Sequence, residues 1–331
     1  MMRFALIGCG KIGKVHADSI AAHPRAELAW ACHPREQAAR TFAAEYGAKA
    51  STDVDTVLAD LSVDAILIAS PTSTHVDLIT RGVLAGKAAL CEKPIDLDIT
   101  RVDACWEQIK SENPTVMMGF NRRFDPSFRA VRDRIRAGEI GRLEQLIIIS
   151  RDPAPPPPGY VAGSGGLFRD MTIHDFDTAR FLLGDIVEVQ AAGGNFISEE
   201  IAEVGDIDSA SIMMRGADGT LCQIVNSRRC AFGYDQRVEA FGELGMLTVE
   251  NLRPSGVRFA SGAATEVADP YLSFYLDRYI PSYRAELDHF VTAVETGTPP
   301  EPGFADGRAT LALADAAGES IRSGRVVRPG V

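Results

Sequence analysis

Near the start of the chain, the apolar run Arg3–Gly8 passes directly into Gly8-Cys9-Gly10-Lys11-Ile12-Gly13, and an amphipathic segment follows at once. A GxGxxG turn between a strand and a helix leaves few folds open to the chain. The first glycine permits a tight turn, the second lets the backbone approach a pyrophosphate, and the third lets helix and strand pack closely. Backbone N–H groups and the helix dipole then attract the phosphates. The expected pyrophosphate residues are therefore Gly8, Gly10, Lys11, Ile12 and Gly13.

Further apolar runs at Glu27–Cys32, Ala65–Ser70, Ala88–Cys91 and Val116–Gly119 alternate with helical patterns at Lys11–Ala22, Glu36–Tyr46, Thr74–Ala85 and Ile99–Lys110. Continuous apolar strands separated by helices predict a parallel sheet covered on both faces. Residues 1–120 thus read as a doubly wound, Rossmann-type dinucleotide-binding domain in an α/β protein. The remainder, 121–331, has a different rhythm. Helices are expected at Asp125–Ala137, Asp170–Leu183, Ser282–Thr296 and Phe304–Ser323. Strands are expected at Leu143–Ser150, Val187–Phe196, Ser209–Met214, Thr220–Asn226, Gln236–Phe241 and Met246–Glu250. Consecutive strands without intervening helices predict an α+β domain with a large, mostly antiparallel open sheet. The Pro- and Gly-rich stretch Asp152–Gly166 reads as irregular, with its 152–158 portion a pocket rim or a subunit contact.

Composition excludes several classes. The chain has 331 residues and a net charge of -11, with no basic arm or stripe, so nucleic acid is not expected as a partner. No apolar stretch is long enough to span a bilayer, so no membrane partner is expected, and the N-terminus does not read as a secretory signal. The six cysteines form no CxxC pair and no metal-ligand spacing. No metal is expected, and reduced thiols fit a cytoplasmic location.

Strand ends of an open α/β sheet converge on a ligand crevice. That rule selects Ser70, Pro71, Thr72 and His75 after one strand and Glu92-Lys93-Pro94 after the next, with Thr72 and Lys93 toward a nicotinamide. The second strand should end in an acid that holds the adenosine ribose of NAD, but His33 stands there and Arg35 follows. Without a carboxylate, NADP becomes tolerable and Arg35 could pair with its 2′-phosphate. Downstream, Asp170 and His174 are spaced to share one face of a helix. His174 suits a general base, since its ordinary pKa of ~6.5 lies close to working pH. Asp170 would orient the imidazole or hold a neighbouring hydroxyl. Lys93 would stabilise a developing alkoxide. Asn121, Arg123, Asp152, Tyr234 and Tyr283 are candidate polyol contacts, with core or interface packing the competing reading for the tyrosines. His16, His23 and His289 read as structural or exposed, and Asp175 and Asp177 as decoration of the Asp170 helix.

On the dinucleotide turn, Glu92-Lys93-Pro94 and the Asp170/His174 pair, the sequence resembles the Gfo/Idh/MocA oxidoreductase family over essentially its whole length. Gly119-Phe120-Asn121-Arg122-Arg123-Phe124-Asp125, Ser150-Arg151-Asp152-Pro153 and Gly233-Tyr234-Asp235-Gln236-Arg237 are similar to segments of its bacterial inositol dehydrogenases. The departure is His33, where members that use NAD usually have Asp. The resemblance implies NAD(P)-dependent oxidation of a ring hydroxyl of myo-inositol or a close polyol, in inositol catabolism. It favours Arg123 and Tyr234 as substrate contacts, and it implies a homotetramer assembled through the open sheet faces. Two other readings stay open on the sequence: a dehydrogenase of another sugar or polyol on the same scaffold, and a non-catalytic NAD(P)-binding regulatory protein.

Overall fold

A computed structural model describes residues 1–157 and 159–330. The chain divides into two compact units, 1–124 with 281–311, and 125–280 with 312–331. A single boundary near residue 120, as expected from sequence, omits the return of the chain to the first unit at 281.

In the first unit the elements are β1 (Met2–Ile7), α1 (Lys11–Ala21), β2 (Ala26–Cys32), α2 (Glu36–Tyr46), β3 (Lys49–Ser51), α3 (Val54–Leu58), β4 (Ala65–Ile68), α4 (His75–Leu84), β5 (Ala88–Glu92), α5 (Ile99–Ile109) and β6 (Val116–Gly119). The sheet order is β3-β2-β1-β4-β5-β6, and every pairing is parallel. This is the doubly wound order whose crevice lies beside β1, where the direction of winding reverses. Phe4, Leu6, Leu67 and Leu90 are buried almost completely, which is why these strands read as unbroken apolar runs.

In the second unit follow α6 (Pro126–Arg136), β7 (Leu143–Arg151), α7 (Val161–Ser164), α8 (Gly166–Asp170), α9 (Ile173–Leu183), β8 (Ile186–Gly194), α10 (Glu199–Glu203), β9 (Ser209–Gly216), β10 (Leu221–Ser227), β11 (Asp235–Gly242) and β12 (Gly245–Val249). The sheet order is β12-β11-β7-β10-β9-β8; only β7 and β10 pair in parallel. One face packs Leu146, Ile148, Ile212, Ile224 and Val238 against Phe176 and Ala179 of α9. The other face carries the exposed side chains Met213, Leu221, Phe241 and Met246.

Two long helices end the chain, α11 (Tyr275–Thr296) and α12 (Phe304–Ser323). The first begins at Tyr275, not at the expected Ser282, because Pro281 lies inside it. Proline lacks an N–H and usually marks a helix boundary, so the pattern read from sequence begins only after it. Leu287, Phe290 and Val291 of α11 join the first unit's core, with the rings of Phe290 and Phe4 6.0 Å apart.

The helix expected over Asp170–Leu183 is two helices, α8 and α9, separated at Met171 and Thr172. Thr172 N–H reaches back to Leu167 O, and its hydroxyl donates to Asn226 Oδ1 of β10 at 2.6 Å. The Thr172 N–H thus bonds five residues back, outside the four-residue ladder of an α-helix. Asp170 therefore ends one helix while His174 opens the next, instead of the two sharing a face of one helix.

Candidate active site

The turn after β1 is built as its glycines require. Gly8 has φ +109°, and a Cβ there would lie 2.5 Å from the Ala69 carbonyl group, so no other residue fits between β1 and the end of β4. A Cβ on Gly13 would overlap the Gly8 carbonyl oxygen. Gly10 differs: a Cβ there would meet nothing within 4 Å. The close-packed glycines thus shape the loop, and the open one, N-cap of α1, offers its backbone to a ligand. That arrangement fits a dinucleotide, with Lys11 and Ile12 opening the helix. Burial pushes the Cys9 thiol up to about 11, so it stays protonated.

At the end of β2, His33 is half-buried and no carboxylate replaces it. Its Nδ1 accepts the Arg35 N–H at 3.0 Å, which fixes the ring, while Arg35 is exposed.

The ends of β4 and β5 are stitched together. Ser70 and Thr74 share a hydroxyl hydrogen bond of 2.6 Å, and Thr74 also donates to Pro71 O. Thr72 begins the single 3-10 turn between them and α4. His75 is buried, with Nδ1 2.7 Å from Pro94 O and Nε2 2.9 Å from Ser70 O. Burial holds its pKa below the ordinary 6.5, against the opposing pull of those carbonyls and of Glu92 and Asp96. His75 thus ties the Ser70-Pro71-Thr72 segment to Glu92-Lys93-Pro94. Glu92 is buried as well. Its Oε1 pairs with His16 Nε2 at 2.6 Å, and its Oε2 accepts the Lys93 N–H at 3.3 Å. Tyr283 presses edge-on to the His16 ring, 5.5 Å between centroids. Also in this unit, Arg123 is buried and donates to Asp306 Oδ1 at 3.0 Å. Asn121 is buried, and its amide nitrogen meets no acceptor among the described residues.

The second unit supplies Asp170, His174, Asp152 and Tyr234. The Asp170 carboxylate is held at both oxygens: Tyr160 Oη donates to Oδ1 at 3.0 Å and Arg228 Nη1 to Oδ2 at 3.2 Å. Burial and the neighbouring carboxylate push the Tyr160 phenol well above its usual range, so it remains a donor. Asn226 bridges the helix break, accepting from Thr172 and donating to Asp175 Oδ2 at 2.8 Å. Asp175 and Asp177 are both buried, not surface decoration of the helix. Tyr234 is buried with its ring edge-on to Tyr279, 6.0 Å between centroids, and Asp152 donates its N–H to Ser227 O at 2.9 Å. The group expected to do chemistry is therefore shared out: Lys93 belongs to the first unit, Asp170 and His174 to the second.

Sequence reasoning missed four participants. His16 is a buried partner of Glu92. Tyr160, Asn226 and Arg228 hold the Asp170–His174 turn, two of them from residues far along the chain. The one available signal was the polar run Asn226-Ser227-Arg228 at the end of a strand, which reads as solvated loop unless a partner is known.

Among the described residues no three His, Cys, Asp or Glu side chains are grouped to hold a metal ion, and no helix is long and apolar enough to cross a membrane.

Residues 2–120 match the oxidoreductase family with an NAD-binding Rossmann fold, and residues 128–248 match the GFO/IDH/MocA C-terminal domain. The chain is 45% identical over 327 residues to an inositol 2-dehydrogenase of Rhizobium meliloti (strain 1021), covering 98% of both chains. It superposes on the crystal structure of a myo-inositol dehydrogenase from Corynebacterium glutamicum ATCC 13032 with a TM-score of 0.97 and 53% identity, covering 100% of this chain and 99% of that one. A scyllo-inositol dehydrogenase from Lactobacillus casei, crystallised with NAD(H) and scyllo-inositol, matches with a TM-score of 0.90 at 28% identity over 99% of each chain.

Proposed function

Because this chain belongs to the GFO/IDH/MocA family of NAD-binding oxidoreductases, we propose that it oxidises a ring hydroxyl of myo-inositol, or a close polyol, to the ketone. The observation that carries the reading is the turn between α8 and α9, where a carboxylate fixed at both oxygens precedes the imidazole of His174. Full-length likeness to proteins named as inositol dehydrogenases supports the substrate class.

NAD, held by the Gly8–Gly13 turn with Ser70, Pro71, Thr72, Glu92 and Lys93 nearby in the fold, supplies the hydride acceptor when bound. The chain's own residues do the rest. His174 accepts the hydroxyl proton as general base. Asp170, kept in one orientation by Tyr160 and Arg228, steadies that imidazole or a neighbouring hydroxyl. Lys93 stabilises negative charge developing on the reacting oxygen. Asn121, Arg123, Asp152, Tyr234 and Tyr283 are proposed to bind the remaining hydroxyls; Asn121 carries a buried amide nitrogen suited to such a partner. His75 contributes by tying two strand ends together, since both ring nitrogens already face carbonyl oxygens.

NADP is the second cofactor reading. It is favoured by one observation, the pairing of His33 with an exposed Arg35 where a carboxylate would exclude a 2′-phosphate. We also propose a cytoplasmic enzyme of inositol catabolism that assembles as a homotetramer. The exposed Met213, Leu221, Phe241 and Met246 on one face of the second unit's sheet provide a surface that assembly would bury. A four-subunit mass by light scattering is the expected result.

The test is a set of initial rates on inositol isomers, pyranoses and linear polyols with each cofactor. The highest kcat/KM is expected on an inositol with NAD. Tight NADH binding without turnover of any polyol would overturn the reading in favour of a non-catalytic nicotinamide-binding protein.

A further inference from the structure

Arg228 is 1% exposed and among the largest fully buried side chains of the protein. A guanidinium cannot shed its charge in a protein, so its burial needs a partner. Its Nη1 donates to Asp170 Oδ2 at 3.2 Å, while Nε and Nη2 meet no acceptor among the described residues. Cys222 and Ile224, at alternate positions of β10 before it, show what sheet stability alone selects on this face. Asn226 and Arg228 continue the same alternation with polar groups instead.

Both of these groups reach the break between α8 and α9. Asn226 takes the Thr172 hydroxyl and gives its amide to Asp175 and to Ser150 O, while Arg228 takes Asp170. The Arg228 backbone is itself fixed, its N–H donating to Asp208 O at 2.8 Å. One strand end therefore pins the residues on either side of the break.

We propose that Arg228 is a positioning residue for catalysis: it gives the Asp170 carboxylate a permanent counter-charge and a single orientation, and it acts on turnover through that carboxylate. The proposal rests on the reading of Asp170 as part of the catalytic group. Asp170 is also held at its other oxygen by Tyr160, whose phenol stays protonated. Loss of Arg228 would take away that counter-charge and its hydrogen bond to Oδ2.

The experiment is a cycle of the full-length protein: wild type, Asp170→Asn, Arg228→Gln and the double variant, with Arg228→Lys alongside. Turnover is measured on whichever polyol the wild type oxidises fastest, and NADH affinity by fluorescence. Arg228→Gln is expected to lower kcat by roughly 10- to 100-fold with KM and NADH affinity changing less, and to cost under about twofold more in the Asp170→Asn background. Arg228→Lys should recover part of the loss. An equal loss in both backgrounds, or wild-type kcat in Arg228→Gln, overturns the inference while leaving Asp170 in place. Wild-type turnover in Asp170→Asn instead removes Asp170 from the catalytic group and so fails the underlying reading. If circular dichroism shows Arg228→Gln unfolded, Arg228→Lys carries the same comparison. Its partial loss is then expected where Asp170 is intact and absent where Asp170→Asn is also present.

Discussion

In the first unit each proposed ligand segment follows the strand that presents it: Gly8 after β1, Ser70 after β4, Lys93 after β5. In the second unit, Asp170 ends α8 and Thr172 lies between α8 and α9, and they are held by Arg228 and Asn226, 58 and 54 positions away in the chain. The Gly8–Gly13 turn is set by local backbone geometry, and the Asp170–His174 turn by buried side chains from a distant strand. Steric exclusion governs the first. The second depends on polar pairs whose loss leaves a buried group unsatisfied. Damage should therefore appear differently in the two: as lost cofactor binding in one, as lost turnover or stability with cofactor binding kept in the other.

Lys93→Met tests the place where this division should fail, because Lys93 lies in the first unit but is assigned chemistry. Its kcat should fall by about 10²–10³ while NADH still binds, as for loss of an oxyanion-stabilising charge. An unchanged kcat would return Lys93 to a purely local role. Gly13→Val sharpens the steric side. With its Cβ driven into the Gly8 carbonyl, the turn must open, and titration should show NADH affinity weakened by about 100-fold, an order appropriate to lost backbone contacts with pyrophosphate.

On the other side, Asn226→Leu removes the acceptor of the buried Thr172 hydroxyl and one donor to Asp175. Thermal and urea unfolding should show a loss of about 1–3 kcal/mol, the usual cost of a buried polar group left unpaired, and NADH affinity of the surviving folded protein should be unchanged. The smallest effect belongs to His75. Its folded pKa lies below the ordinary 6.5, so the unfolded chain takes up the proton first as pH falls. The stability contributed by neutral His75 is complete above pH 6.5 and is lost as pH drops below it toward the folded pKa. The fall in Tm between neutral and mildly acid pH should be shallower in His75→Gln than in wild type; an identical slope would show that other groups carry the acid sensitivity.

The same contrast explains what was legible in the sequence. The GxGxxG turn and the apolar strands of the parallel sheet are local patterns, and their spacing carries their meaning. The open sheet was legible from period-two alternation, as in β9, where Ala210, Ile212 and Met214 are buried and Ser211, Met213 and Arg215 are exposed. The break at Met171–Thr172 was not, because no glycine or proline marks it in 168–174. Helix α11 reads short from sequence for a related reason: Pro281 is a sound local stop signal, yet the helix already runs before it, with Arg278 and Tyr279 buried there. His16 escapes notice because a lone histidine on a helix carries no pattern, and Glu92, its partner, lies 76 positions on.

In the proposed function, a base in the second unit acts on a polyol while the first unit holds the cofactor. The most direct measurement is the initial rate of NADH formation from myo-inositol by wild type and His174→Ala, with NADH affinity measured on both. The expected result is a kcat lower by about 10²–10⁴ in the variant, the range for loss of a general base, with NADH affinity unchanged. Wild-type turnover by His174→Ala would contradict the claim.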